Sequence, residues 1–68
     1  MNYLEWSQEY TQTAQEMDTV VQRLKKKRSR AGESEKRELN DRISMYRSCR
    51  NECLDIARRL MERHRGAA

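Results

Sequence analysis

The sequence predicts an all-α fold in which two long amphipathic helices form one antiparallel hairpin. Three observations carry this prediction. Apolar residues recur at three- and four-residue intervals in both halves, a short polar segment separates the halves, and the 68-residue chain contains no proline. Neither half shows the strict alternation of a β-strand, and a 3.5-residue period is typical of helices that pack along one seam. We therefore predict a single domain over residues 1–68.

The first helix is predicted from about residue 3 to residue 30. Asn2 can cap its start, with Glu5 three residues later in the position of a capping box. Ala14 and Val21 widen its apolar stripe on one side. The predicted stripe itself consists of Tyr3, Trp6, Tyr10, Thr13, Met17, Val20 and Leu24.

A turn is predicted at about residues 31–34. Gly32 suits the left-handed conformation that often follows a helix, and Ser34 suits the N-cap of the next helix. We expect Gly66 to end the second helix and to leave Ala67 and Ala68 frayed.

The second helix is predicted from about residue 35 to residue 65. Its apolar stripe consists of Leu39, Ile43, Tyr46, Cys49, Cys53, Ile56 and Leu60, with Ala57 and His64 alongside. Because the connection is short, the helices should be antiparallel, with facing residue numbers that sum to about 63. Trp6 would then face Ile56 and Ala57. Each helix begins acidic and ends basic, so this pairing sets opposite charges side by side.

Composition and motifs exclude several classes of function. No run approaches the roughly 20 apolar residues that span a bilayer. No set of residues suggests a nucleophile, its base and an oxyanion site, and no glycine-rich phosphate loop is present, so we expect neither an enzyme nor a cofactor or small-molecule substrate. The N-terminus lacks the features of a signal peptide, and two cysteines without an export signal indicate the reducing cytoplasm.

Cys49 and Cys53 lie one helical turn apart in the predicted seam. Two copies of this pair, meeting across a dimer, could supply a four-thiolate zinc site. Cysteine is also a small residue that often fills a core, and we favour this packing role. The prediction is that both thiols are mostly buried, reduced and free of metal. His64 is the single histidine, and we expect it to stabilise the C-terminus of the second helix through the helix dipole.

The apolar face of the second helix is too wide for one neighbouring helix to cover. Residues at its edges are predicted to contact a second molecule, most simply a symmetric copy in a four-helix bundle. These predicted interface residues are Met45, Leu54, Ile56 and Met61. The favoured function is that of a self-associating interaction or assembly module. Its partner would be a second copy of the chain, forming a homodimer, or a larger protein.

Clusters of basic residues suggest an alternative, a dimeric regulator that binds RNA or DNA. Lysine and arginine bind phosphates by releasing counterions, and the chain has a formal net charge of +4. The candidate nucleic-acid contacts are Lys25, Lys26, Lys27, Arg28, Arg30, Arg47, Arg58 and Arg65. A solvated helix end matched to the helix dipole also explains the first cluster, and we favour this explanation.

The length, the turn near residue 31 and the two seam cysteines resemble the Rop family of plasmid copy-control proteins. The run Tyr46-Arg47-Ser48-Cys49 is similar to part of the second helix of that family. The resemblance implies a dimeric four-helix bundle that binds paired RNA hairpins. The Rop seam is largely alanine and leucine, whereas this one contains aromatic residues, so no RNA-contacting positions are carried over.

Overall fold

The computed structural model describes residues 2–67 and shows two α-helices, α1 (Tyr3–Arg28) and α2 (Glu33–Ala67). The helices pack antiparallel, because Arg28 contacts Asn40 near the turn while Ser7 contacts Ala57 near the open end. The predicted helical hairpin is confirmed. It forms a rod with extents of 53 × 14 × 13 Å.

The start of α1 follows the predicted cap. Asn2 has an extended backbone, and its side-chain oxygen accepts a 3.2 Å hydrogen bond from the backbone N–H of Glu5. The predicted end at residue 30 was two residues too late. After Arg28 the chain tightens into i→i+3 bonds, in which Arg30 N–H donates to the Lys27 carbonyl and Ala31 N–H to the Arg28 carbonyl, both at 3.2 Å.

The connection differs from the prediction at both Gly32 and Ser34. No residue of the described chain has a positive φ, so Gly32 is not left-handed. Its carbonyl accepts a 2.9 Å bond from Lys36 N–H, which places Gly32 at the cap and Ser34 inside the first turn of α2. The tightened turn after Arg28 already reverses the chain, so no left-handed residue is needed.

The second helix also extends further than predicted. It begins at Glu33 rather than residue 35, and continues through Gly66 to Ala67. Gly66 therefore does not end the helix, because its φ is not positive and the chain does not reverse there. Ala68 lies outside the described residues.

The buried seam of α1 differs from the predicted stripe. Its buried residues are Ser7, Ala14 and Val21, spaced seven apart. Trp6 was predicted in the core but is 38% exposed, and Val20 is only half-buried. The small side chains of Ser7 and Ala14 let the two helices approach closely. Burying the Ser7 hydroxyl is tolerated because it donates a 3.0 Å bond to the Ala57 carbonyl.

The seam of α2 follows the predicted stripe. Its buried residues are Leu39, Ile43, Ala57 and Leu60. Ser7 and Ala57 have numbers that sum to within one of the predicted register. Sequence reasoning therefore predicted the register of the two helices correctly. It centred the stripe of α1 beside the true seam, with Ala14 and Val21 at the edge of the stripe.

The accessible surface area of the rod is large for a protein of this mass. Its radius of gyration is 15.7 Å. A compact domain of this length would have about 11 Å. The accessible area is 5455 Å², whereas a folded monomer of this mass is expected to expose about 4,500 Å². The single hairpin therefore buries less of itself than proteins of its size normally do.

Candidate interaction surfaces

The hairpin has two broad sides, each formed by one row of residues from each helix. Lys25 and Asn40 line the same groove near the turn, so the rows that contain them share a side. Positions seven apart on a helix point almost the same way, which extends each row along the rod. We call this side the groove face. Its rows are Leu4, Thr11, Asp18 and Lys25 on α1, and Asn40, Arg47, Leu54 and Met61 on α2.

An ion pair crosses between the helices on the groove face. An Nη of Arg50 lies 2.7 Å from a carboxylate oxygen of Asp18, with both side chains partly exposed. The polar half of this face therefore lies towards the turn. Its apolar half, around Leu54 and Met61, lies towards the open end.

The opposite side, the tryptophan face, is apolar over a longer distance. Its rows are Trp6, Thr13, Val20 and Lys27 on α1, and Arg42, Cys49, Ile56 and Arg63 on α2. A shallow concavity of about 170 Å³ opens on it between Trp6, Glu9, Tyr10 and Thr13. The face thus combines an exposed aromatic ring with a recess beside it.

The structure does not bring the four predicted interface residues together on one surface. Met45 and Leu54 are nine residues apart, which turns them about 180° from each other around α2. Leu54 and Met61 belong to the groove face, whereas Ile56 belongs to the tryptophan face and Met45 lies at its outer edge. Met45 is 55% exposed and Leu54 45% exposed, so each side of α2 has one large apolar residue in water.

The two cysteines are free thiols of intermediate burial, so most of the surface of each is covered, as predicted. Cys53 lies in the seam against α1. Cys49 lies four residues earlier, in a row of the tryptophan face, and has the same intermediate burial as Cys53. Within residues 2–67, no three metal-ligating side chains of the His, Cys, Asp or Glu type come together.

A groove of about 410 Å³ lies beside the turn, where the two helices meet their connection. It is lined by Lys25, Arg28, Ser29, Lys36 and Asn40. An Nη of Arg28 donates a 2.8 Å hydrogen bond to the side-chain oxygen of Asn40, which holds the guanidinium across the groove. Ser29 donates its hydroxyl to the Lys26 carbonyl at 2.6 Å.

The groove divides the basic cluster that the sequence predicted as one nucleic-acid contact. Lys25 and Arg28 line it, whereas Lys26, Lys27 and Arg30 are exposed outside it. Sequence reasoning missed Lys36 and Asn40, which reach the groove from α2. The available signal was the register, since Lys25 and Asn40 have numbers that sum close to the predicted value.

The other predicted basic contacts, Arg47, Arg58 and Arg65, are all exposed on α2. Arg47 belongs to the groove face. Arg58 forms a 3.1 Å ion pair with Asp55, so part of its charge is neutralised by its own helix. Successive members of this set lie roughly 10–17 Å apart along the helix axis, and they form a sparse row rather than a cluster.

Neither helix, over the residues that the structure describes, has the length and apolarity required to cross a membrane. No protein-family model, curated protein or solved structure matches this chain. The likeness to the Rop family therefore stays a prediction from the sequence.

Proposed function

We propose that this hairpin is a self-associating assembly module, in which two copies pack through their tryptophan faces into a four-helix bundle. The observation that carries the proposal is the excess surface. The chain exposes 5455 Å², about 900 Å² more than a monomer of its mass is expected to expose. A standard protein interface removes about 800 Å² from each partner. One symmetric contact would therefore bring the hairpin to the normal value.

The position of charge along the rod favours the tryptophan face over the groove face. The charged residues in the rows of the tryptophan face lie outside the stretch from Trp6 to Val20, namely Lys27 and Arg42 towards the turn and Arg63 at the open end. Packing a copy on the groove face would bury the Asp18–Arg50 ion pair along with Lys25, and removing such charges from water is costly. The tryptophan face instead offers Trp6 and Ile56 near the open end. Partly exposed tryptophan beside a recess is typical of the centre of a protein interface.

Charge also favours copies that run in opposite directions. The turn half, residues 18–49, contains ten lysines or arginines and five acidic residues, whereas the remainder contains five and six. A parallel dimer would set two strongly basic halves side by side. An antiparallel dimer sets each basic half against the slightly acidic open half of the other copy.

Sedimentation of two matched double variants tests the proposal. Trp6→Glu with Met45→Glu adds charge to the tryptophan face, and Leu4→Glu with Leu54→Glu adds the same charge to the groove face. We expect the wild type and the groove-face variant to sediment as dimers at micromolar concentration, and the tryptophan-face variant as a monomer. Dimers of both variants, or a monomeric wild type, would overturn the proposal.

A measurement on the wild type covers the case in which the tryptophan-face variant does not fold. Trp6 is the single tryptophan, so its fluorescence reports the environment of this face. Burial against a second copy should shift the emission to shorter wavelength as protein concentration rises from nanomolar to micromolar. Emission that stays constant, at constant helicity, would contradict burial of Trp6.

A further inference from the structure

We propose that the groove beside the turn binds a phosphate of a nucleic-acid backbone. Three cationic side chains, Lys25, Arg28 and Lys36, converge on it from both helices. The side-chain amide of Asn40 supplies a further N–H donor. The inference does not require self-association, and it is compatible with the proposed dimer, which leaves the groove face in water.

None of the three cations forms an ion pair in the part of the chain that the structure describes. Within residues 2–67 the ion pairs join Asp18 to Arg50 and Asp55 to Arg58, and neither includes a lining residue of the groove. Like charges that converge in this way repel each other until an anion enters. All three side chains are half-buried, so they lie along the groove walls rather than extending freely into solvent.

Helix dipoles explain part of this cluster but not Lys36. Lys25 and Arg28 lie in the last turn of α1, where positive charge is favourable. Lys36 lies at the start of α2, where the helix dipole is itself positive and a cation is unfavourable. The helix dipole therefore does not account for Lys36, whereas an anion in the groove does.

The hydrogen bond from Arg28 to Asn40 prepares the groove for a phosphate. It fixes one Nη of the guanidinium and leaves the other N–H groups available for an oxygen ligand. Because the Asn40 oxygen accepts this bond, the amide nitrogen of the same side chain is free to donate. Two lysine ammonium groups add further donors, and none of the lining residues is acidic, which suits a phosphate.

The surroundings favour a polymer over a small phosphate compound. The groove is open to solvent along its length, and Arg47 follows Asn40 in the same row of the groove face. A nucleic-acid backbone can place one phosphate in the groove and a neighbouring phosphate at Arg47. A single phosphate in the groove cannot also contact Arg47.

The test measures binding of a labelled RNA duplex and a labelled DNA duplex by fluorescence anisotropy. The groove variant is Lys25→Gln with Lys36→Gln. The matched control, Lys26→Gln with Arg30→Gln, removes the same charge from neighbouring exposed positions outside both the groove and the rows of the tryptophan face. We expect the groove variant to weaken binding of a duplex about tenfold or more, and the control to weaken it less than about threefold.

Salt dependence provides a second readout. Each phosphate contact adds about 0.9 to the slope of log affinity against log salt concentration. The groove variant should therefore lower the slope by nearly two, and the control by less than one. Equal losses of affinity in both variants would show that binding is non-specific electrostatic attraction, and this result would overturn the proposed site. Tight binding of inorganic phosphate without binding of either duplex would overturn its assignment to nucleic acid.

Discussion

The hydroxyl of Ser7 donates a 3.0 Å hydrogen bond to the carbonyl of Ala57, and Ser7 is only 3% exposed. This bond joins α1 to α2 where both side chains are small. It therefore fixes the axial register of the two helices and the rotation of each about its axis near the open end.

Replacing Ser7 with alanine should lower the free energy of unfolding by about 0.5–1.5 kcal/mol, the usual net value of a buried hydrogen bond. Ser44→Ala is the matched control, because Ser44 is an exposed serine inside α2. It should be neutral or slightly stabilising, since alanine is the better helix former. Urea unfolding of both variants checks this, and equal effects would contradict a special role for the Ser7 hydroxyl.

The Asp18–Arg50 ion pair should contribute modestly to stability. The side chain of Asp18 is 48% exposed and that of Arg50 28% exposed, so solvent screens their attraction. A double-mutant cycle with Asp18→Asn and Arg50→Gln should give a coupling of about 0.5–1 kcal/mol that declines with added salt. The more exposed Asp55–Arg58 pair serves as the control, with a smaller coupling. A larger coupling for that pair would contradict the interpretation.

Gly32 should tolerate a side chain. It has no positive φ, and a Cβ at this position would meet nothing within 4 Å. Gly32→Ser should change the free energy of unfolding by less than about 0.5 kcal/mol, because serine is as good an N-cap as glycine or better. A left-handed residue would instead lose roughly 1–2 kcal/mol. Thermal unfolding distinguishes these outcomes.

Cys49 should react across the proposed dimer, and Cys53 should not. In an antiparallel pair of α2 helices, residues near the middle of the tryptophan face meet their own copies, whereas Cys53 faces α1 within its own hairpin. A short bis-maleimide should therefore link two copies of Cys53→Ser and leave Cys49→Ser unlinked, as seen on a denaturing gel. Linking through Cys53 alone would contradict the assigned face.

The sequence predicted α2 better than α1 for a physical reason. In α2, large apolar residues such as Leu39, Ile43 and Leu60 are themselves the seam, so hydropathy locates it. In α1, the seam runs through Ser7 and Ala14, whose importance lies in being small. A pattern that follows large apolar side chains selects their larger neighbours instead, and so it placed Trp6 in the core.

The candidate site was predictable only in part for a similar reason. Lys25 and Arg28 belong to a visible basic run, but Lys36 and Asn40 belong to another helix and form no motif of their own. Their place in the groove depends on how the chain reverses between Ser29 and Gly32. That local geometry was predicted wrongly, because glycine suits both a left-handed turn and an ordinary helix cap.

The single short connection also determines the order in which contacts between the helices can form. The sequence separation of the interhelical side-chain bonds rises from 12 for Arg28–Asn40, through 32 for Asp18–Arg50, to 50 for Ser7–Ala57. Loop closure is less favourable for longer segments, but each closed contact shortens the next loop. We therefore expect contacts between the helices to form first near the turn and to be lost first at the open end. Trp6 lies at the open end, so its fluorescence would report the first step of unfolding.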